Sequence, residues 1–387
     1  MHILLISEYE VADRSAFSGI PYGVHNGLLA TGHRIDVATI SPPSLQIILA
    51  GGARLETELR RLSQTAGDVI RKLRPDIVVC QGSSVIPYLD SEPPVILWHD
   101  SNWNMLISVD FETFSTIYPH LAEWDRGVAS NCAAIFATSA HLQSDYFNTY
   151  GLDSTKVHIL PFGHNVTAPD IDALHKAIEK RLRSDKTFLT FTGFDHTRKG
   201  LIHAVRLAER LSHSGLPCEL AIIGVAPCEL QKEGDILSRF VMQDFENEQI
   251  LGSNCVRFVG RIAQQDPSAE NLFSRQLLRS HFYIHPAQFE CFGIALAEAC
   301  AFGVPVITSH AYGPDTIITH GANGYKFALP TFVDSAFSIV RELRSDSDRY
   351  SKLCYQTYSD GARRFSWKNL ALRLIKQSEK LLRSKDR

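Results

Sequence analysis

The sequence predicts an α/β protein with two parallel sheets, one in each half of the chain. Short apolar runs alternate with stretches of helical spacing along the chain, as in successive β-α-β units. That alternation is interrupted by Pro161-Phe-Gly-His-Asn165 and Pro169 and restarts at Phe188, so a linker divides two domains. The length agrees, because 387 residues is more than one core usually spans.

Composition narrows the function classes. The chain is 44% hydrophobic and 21% charged, ordinary globular content, and with a net charge of −3 nothing suggests an electrostatic nucleic-acid binder. Residues 1–7 form a short strand with no basic flank or cleavage site, and no apolar run approaches eighteen residues, so neither a secretory signal nor a membrane span is expected. The eight cysteines include no C-x-x-C pair and several, such as Cys80 and Cys300, lie in apolar runs. Reduced core thiols in the cytoplasm are the economical reading.

In the first half, residues 2–7 read as a buried strand. Phe17-Ser-Gly-Ile-Pro-Tyr-Gly23 follows as a loop entering a helix that ends near Gly32; Pro21 suits a first helical turn, and Gly19 and Gly23 free the backbone beside it. Residues 33–40 alternate as a second strand. Residues 45–73 read as helix broken at Gly51-Gly52, with Arg54, Arg60, Arg61, Arg71, Lys72 and Arg74 on it. Such a basic set can lie on anionic lipid, but Glu56, Glu58 and Asp68 dilute it towards a solvated face. Residues 76–81 and 95–98 are further strands. His99 stands at the carboxyl end of the second, where an imidazole could reach a ligand between the domains. Strands at 133–138 and from 157, with a helix between, complete this half.

The second half opens with a strand at 188–192, then Gly193-Phe-Asp-His-Thr-Arg198-Lys199-Gly200 and a helix through Leu211. Two cations before a helix N-terminus reinforce its dipole, so positive potential gathers where a diphosphate could lie. Strands follow at 220–224 and at 256–260, the latter leading to Gly260-Arg261. Residues 281–309 form the densest unit, a strand, a loop, a helix and a second strand. Glu290 in that loop and Glu298 in that helix are too far apart to share a proton or a metal, since eight helical residues span ~12 Å and turn ~80°. They address different parts of one extended ligand, or nothing. Gly293 stands where the helix begins, and its missing side chain lets a phosphate approach the free N–H groups.

Glu290-Cys-Phe-Gly-Ile-Ala-Leu-Ala-Glu298, with Ala299, Gly303, Pro305 and Val306, resembles the E-x7-E signature of the retaining glycosyltransferases of family 4, which have the GT-B fold. The resemblance covers nearly the whole chain and is sharpest over residues 188–327. It implies two Rossmann-like domains facing each other across a cleft: residues 1–165 on the acceptor side, with a C-terminal helix at 366–387 crossing back onto them, and residues 166–365 binding the sugar nucleotide. In that family the first Glu lies against the donor sugar and the second holds the ribose hydroxyls. The roles implied here are catalytic for His99, Lys199 and Glu290. For donor binding they fall on Arg198, Lys199, Gly260, Arg261, Cys291, Phe292, Gly293, Ile294 and Glu298. Ser18 and Gly19 take the place of a glycine pair in the first loop, where anion or acceptor contact is implied, and the Ser-Gly-Ile-Pro-Tyr22 stretch resembles a subgroup with an S-G-x-P-Y loop.

The sequence departs from the family at three places. Phe162 replaces the Asn of a Pro-Asn-Gly hinge, Gly193 stands where the family has Arg, and Thr316 stands where it has Glu, with Asp315 one place early. Lys199 carries over, and Arg198 is a substitute for the missing Arg only if two adjacent side chains turn the same way, which loops usually prevent. The implied function is transfer of a sugar from a nucleoside diphosphate, UDP or GDP, to a carbohydrate or lipid-linked hydroxyl in bacterial surface-polysaccharide or glycolipid synthesis. No cofactor or metal is expected, and peripheral contact with the inner face of a membrane is compatible. The alternatives are a sugar-nucleotide epimerase or hydrolase on the same architecture, and a non-catalytic sugar-nucleotide-binding protein. Asp170-Ile-Asp172 and Asp346-Ser-Asp348 mimic the metal-holding D-x-D of another glycosyltransferase fold, but neither follows a strand, so both read as surface carboxylates. No dinucleotide G-x-G, P-loop G-K pair or H-E-x-x-H occurs.

Overall fold

The structure, a computed structural model, describes residues 1–227, 249–262 and 267–385. Residues 386–387 of the C-terminal helix segment and Cys228 lie outside the described residues. The chain divides into two units, Met1–Gly163 with Ser366–Arg387, and His164–Phe365.

The first unit holds six parallel strands: β1 His2–Ser7, β2 Arg34–Thr39, β3 Ile77–Gln81, β4 Val95–His99, β5 Ala134–Ala137 and β6 Val157–Ile159. Their order is β2-β1-β3-β4-β5-β6. The central strands β3, β4 and β5 are buried at every position, as expected of a parallel sheet covered on both faces. Register aligns Ser7 with Gln81 and His99 with Ala137, so the carboxyl ends of β1, β3, β4 and β5 form one edge. The order reverses between β1 and β3, and ligands bind open α/β sheets at such a reversal.

Helix Gly52–Leu73 buries Leu55, Leu59, Leu62, Ala66 and Ile70 at helical spacing and turns its charges outward. Arg60 pairs with Glu56, Arg61 with Glu58 and Arg71 with Asp68 on its surface, which is the solvated face the sequence favours. The break from helix Leu45–Ala50 falls at Gly51, with φ of 58°, where an added Cβ would press Ile117 at 3.0 Å.

Gly23 does a different job from the one its loop-like context suggests. It lies inside helix Ile20–Leu29, and an added Cβ would sit 2.2 Å from the Trp367 ring. Gly27, one turn on, faces the Trp367 carbonyl at 2.8 Å by the same measure. The two glycines form a groove that seats helix Trp367–Lys385, and Trp367 continues onto Trp98 and Phe162 with ring centroids 5.7 and 5.9 Å away.

Among the described residues, the second unit also has six parallel strands: β7 Thr187–Thr192, β8 Cys218–Ile223, β9 Val256–Gly260, β10 Phe282–His285, β11 Val306–Ser309 and β12 Gly324–Phe327. Their order is β12-β11-β10-β7-β8-β9, so the reversal lies between β7 and β10. The core beneath is aliphatic and aromatic, built from Leu189, Phe191, Val205, Leu220, Ile222, Phe282 and Ile284 among others.

Arg181 on helix Ile171–Arg183 is 2% exposed and ties this unit together. Its guanidinium donates to the carbonyls of Leu277 and Leu278, at the end of helix Pro267–Arg279, and of Phe302 and Gly303, past helix Ile294–Ala301. One side chain thus satisfies the orphan carbonyls of two helix ends, which is what makes a buried charge tolerable there. Asp170 and Asp346, from the two D-x-D look-alikes, accept from Ala173 N and Arg349 N and cap their helices. Cys80, Cys132, Cys218, Cys300 and Cys354 are buried free thiols. No helix among the described residues is long and apolar enough to cross a membrane.

Candidate active site

The second unit's site grows from the two loops at its sheet reversal. After β7 the chain turns on Asp195, whose carboxylate accepts from Arg198 N at 3.0 Å and from Arg198 Nε at 3.0 Å. Lys199 N donates to Asp195 O at 3.1 Å. Gly200 closes the turn with φ of 71°, and any Cβ there would strike the Pro286 carbonyl at 2.0 Å. The loop after β10 is stitched to this turn by Gln288 N to Arg198 O at 2.8 Å and Arg198 Nη1 to Phe289 O at 2.6 Å.

Tight coupling of the loops makes the adjacent cations converge. Glu290 Oε2 lies 3.2 Å from Lys199 Nζ, 3.8 Å from Arg198 Nη1 and 3.3 Å from His285 Nε2. The expectation that Arg198 and Lys199 point apart is therefore corrected: the Asp195 turn folds Arg198 back alongside its neighbour. Gly193 explains its own departure from the family pattern, because a Cβ there would lie 2.5 Å from Lys199 Cδ. Glycine leaves the path along which the lysine stem crosses the end of β7.

The electrostatics follow from this packing. Burial is the largest influence on the Glu290 carboxyl and pushes its pKa up, but Lys199, the His285 ring at 3.3 Å and Arg198 together hold it well below the carboxylate range. Burial opposes the Arg198 charge, and Glu290 with Asp195 outweighs it, raising the guanidinium pKa. The His285 pKa is lowered, first by burial, so its ring is neutral. Glu290 is fixed at the backbone as well, through its N–H to Ala311 O at 3.1 Å and Gly313 N to its carbonyl at 2.9 Å.

Beyond Glu290 the chain enters helix Ile294–Ala301 through Gly293, with φ of 93° and no side-chain cap, so the first helical N–H groups lack a capping side chain. Phe292 is 1% exposed, which leaves its backbone and not its ring for any ligand. Cys291 and Ile294 are half-buried beside it, and Glu298 is buried on the same helix at 6%. Gly260 ends β9 with φ of 83°, and Arg261 lies over the exposed Phe194 ring at 5.3 Å. Asp315, displaced by one from the family's acid, is held by His310 at 2.8 Å and Lys326 at 3.2 Å.

Three participants escape a reading of the sequence. His285 looks like one more residue of a buried strand. Asp195 is one polar residue among several in its loop. Gly224, at the end of β8 with φ of 99°, faces the Gly193 carbonyl at 2.9 Å from an added Cβ, so β7, β8 and β9 all end at glycines; only the glycine after the 220–223 run hinted at it.

The first unit brings its predicted residues to the carboxyl edge of its own sheet. Phe17, Ser18 and Gly19 take left-handed φ of 46°, 56° and 72° in succession, and the exposed Phe17 ring stacks on Tyr9 at 5.8 Å. Two non-glycine residues in that region mark stored strain. His99 is 6% exposed, and Nε2 lies 3.0 Å from the Tyr146 hydroxyl. Burial lowers its pKa to about 3, against a smaller raising influence of the ring's hydrogen bond to the Ser101 backbone, so the imidazole is neutral and held from within. Glu8, just past β1, was not foreseen: it accepts from Ser84 N at 3.0 Å, its pKa is raised by burial, and Gly82 admits it because a Cβ there would overlap its carboxyl.

Residues 173–359, most of the second unit, match the model of the family Glycosyl transferases group 1. That stretch of the second unit is similar to the group 1 glycosyltransferases. A GDP-mannose-dependent alpha-mannosyltransferase of Corynebacterium glutamicum is 24% identical over 366 residues, 89% of this chain and 76% of the relative. A sucrose synthase of Melioribacter roseus is 30% identical over 125 residues, which is 32% of this chain but only 16% of that protein. The fold of a sucrose-phosphate synthase from Thermosynechococcus elongatus matches with a TM-score of 0.72 at 17% identity, over 99% of this chain and all of that one. The two parallel-sheet units are those of a GT-B glycosyltransferase fold, and the group 1 match lies on the unit that carries Lys199 and Glu290.

Proposed function

We propose that this protein is a retaining, metal-independent glycosyltransferase that moves a sugar from a nucleoside diphosphate to an acceptor hydroxyl. The observation that carries the reading is the meeting of Arg198 and Lys199 at Glu290, beside the uncapped helix start at Gly293, within the group 1 stretch. Lys199, Arg198 and the helix N–H groups take up charge as the diphosphate departs, in a site where fixed donors act at low dielectric. Glu290 lies against the donor sugar, Glu298 holds the ribose, and the turn at Gly260 and Arg261 faces the base.

Retention needs no in-line base, since acceptor and diphosphate share one face of the sugar. A neutral His99 held by Tyr146 suits an orienting role, with the diphosphate oxygen receiving the acceptor proton. Ser18 and Gly19 belong to the acceptor side. The donor is a UDP- or GDP-sugar, and the GDP-mannose-dependent relative makes GDP-mannose the first to try. The setting we favour is bacterial surface-polysaccharide or glycolipid synthesis on a carbohydrate or lipid-linked acceptor, in the cytoplasm with peripheral membrane contact. Exposed Leu45 and Leu49 on helix Leu45–Ala50 support that contact.

The test is release of UDP or GDP from UDP-glucose and GDP-mannose by the purified protein, with and without chelator, and the anomeric configuration of the product by NMR. Turnover insensitive to chelator with retained configuration is expected. Inversion, or activity lost on chelation and restored by manganese, refutes the mechanism.

A further inference from the structure

His285 ends β10 directly beneath Glu290, and its side chain is 1% exposed. Its Nε2 lies 3.3 Å from Glu290 Oε2, close enough for an ion-pair contact but not aligned as a hydrogen bond. Among the described residues Nδ1, Nε2 and that oxygen are all buried without a hydrogen-bond partner, so each of Nε2 and Oε2 is the nearest group that could satisfy the other. A neutral imidazole beside a carboxylate must present an N–H to it, because a lone pair there would repel the charge. Nε2 therefore carries the proton and Nδ1 is bare. The ring is kept in place by its stack on Tyr283, with centroids 6.4 Å apart, and by Thr308 Oγ1 donating to its backbone carbonyl at 2.8 Å.

The Glu290 oxygen is shared by donors of different kinds. A diphosphate would attract both Lys199 and Arg198; Arg198 is tied to Asp195 and Phe289, so it is the Lys199 stem that moves off Glu290 to the extent that it pairs with phosphate. His285 is uncharged, has no attraction for a phosphate and is walled off from one. We propose that His285 is a positioning residue, a neutral Nε2–H donor that holds the Glu290 carboxylate in its working orientation when Lys199 turns to the diphosphate. This rests on the donor-site reading above.

Two measurements separate the proposal from that reading. In protein labelled with 15N-histidine, long-range proton–nitrogen correlation reports each tautomer; the His285 signal, identified by its loss in His285→Gln, should show Nε2–H and stay neutral from pH 5.5 to 8.5. The titratable and charged groups around it are Glu290, Lys199 and Arg198 from the two loops and Tyr283 on its own strand, with Glu298 acting on Tyr283. An Nδ1–H tautomer, or an imidazolium titrating in that range, overturns the proposal whatever the substrate proves to be.

The second measurement uses GDP-mannose and UDP-glucose turnover. His285→Leu, which keeps the bulk and removes the donor, should lower kcat about ten- to a hundredfold with KM nearly unchanged, the range set by one hydrogen bond to a charged group. His285→Gln, which restores an N–H, should recover most of that loss. Thermal stabilisation by UDP or GDP should be the same in both variants as in the wild type. If Gln is as impaired as Leu while both still bind, the donor role is wrong; if neither nucleotide nor pyrophosphate stabilises the wild type, the donor-site reading fails and the tautomer still decides His285.

Discussion

Replacing Lys199 by methionine removes the charge nearest to Glu290 while keeping a stem of similar length over Gly193. At 3.2 Å and an effective dielectric near 20, the attraction lost is about 5 kcal/mol. Arg198 at 3.8 Å and His285 at 3.3 Å remain beside the carboxylate, so the net loss should be about 2–3 kcal/mol, at the lower edge of what breaking a buried pair costs. The pH dependence follows from the sign of the Glu290 shift. Its folded pKa lies well below the unfolded value near 4.3, so its stabilisation is present above that value and is lost as pH falls through the folded pKa. The deficit of Lys199→Met is therefore largest above about pH 5 and closes in acid. Urea unfolding of both proteins between pH 3 and 8 measures it, and Glu290→Gln on the Lys199→Met background should recover part of it. The same variant should lose stabilisation by UDP and GDP. A variant as stable as wild type at pH 7, with undiminished nucleotide binding, refutes both the ion-pair account and the phosphate site.

The carboxylates should separate kinetically: Glu290→Gln lowers turnover, whereas Glu298→Gln mainly raises KM, because ribose contacts are similar in ground and transition states; equal affinity-type losses in steady-state assays would contradict the split. Gly193→Ala should leave the fold intact but displace the Lys199 stem, weakening nucleotide stabilisation about tenfold by thermal shift. His99 and His281, both lowered to about 3 chiefly by burial, are neutral when folded and protonate on unfolding below about pH 6.5. Stability should therefore fall with pH through that window, by about 2 kcal/mol per histidine between pH 7.5 and 5, and urea unfolding of His281→Gln at the two pH values should show a shallower slope.

The alternation of apolar runs with helical stretches, and the Pro and Gly punctuation near residue 163, are local properties. They are legible in sequence because a parallel strand buried on both faces must be apolar throughout, and because a backbone turn needs particular residues. The Glu290 to Glu298 spacing, the helix start at Gly293 and the cations before Leu201 were visible for the same reason: each is a short-range pattern tied to a strand end. Even the D-x-D look-alikes could be set aside from their position alone.

What tertiary structure decided is which of these groups meet. Strand order β10-β7 sets two loops nearly a hundred residues apart side by side, and their mutual hydrogen bonds turn Arg198 back towards Lys199 against local expectation. Gly193, a departure from a motif when read along the chain, becomes the clearance for a lysine stem, and Gly23 becomes the seat of Trp367. His285 gives no sign in the sequence, because a histidine ending an apolar strand is indistinguishable from a core residue until the carboxylate above it is placed. Close approach between distant segments is a non-local quantity, and in this protein it determines the charge and the orientation of the groups at the site.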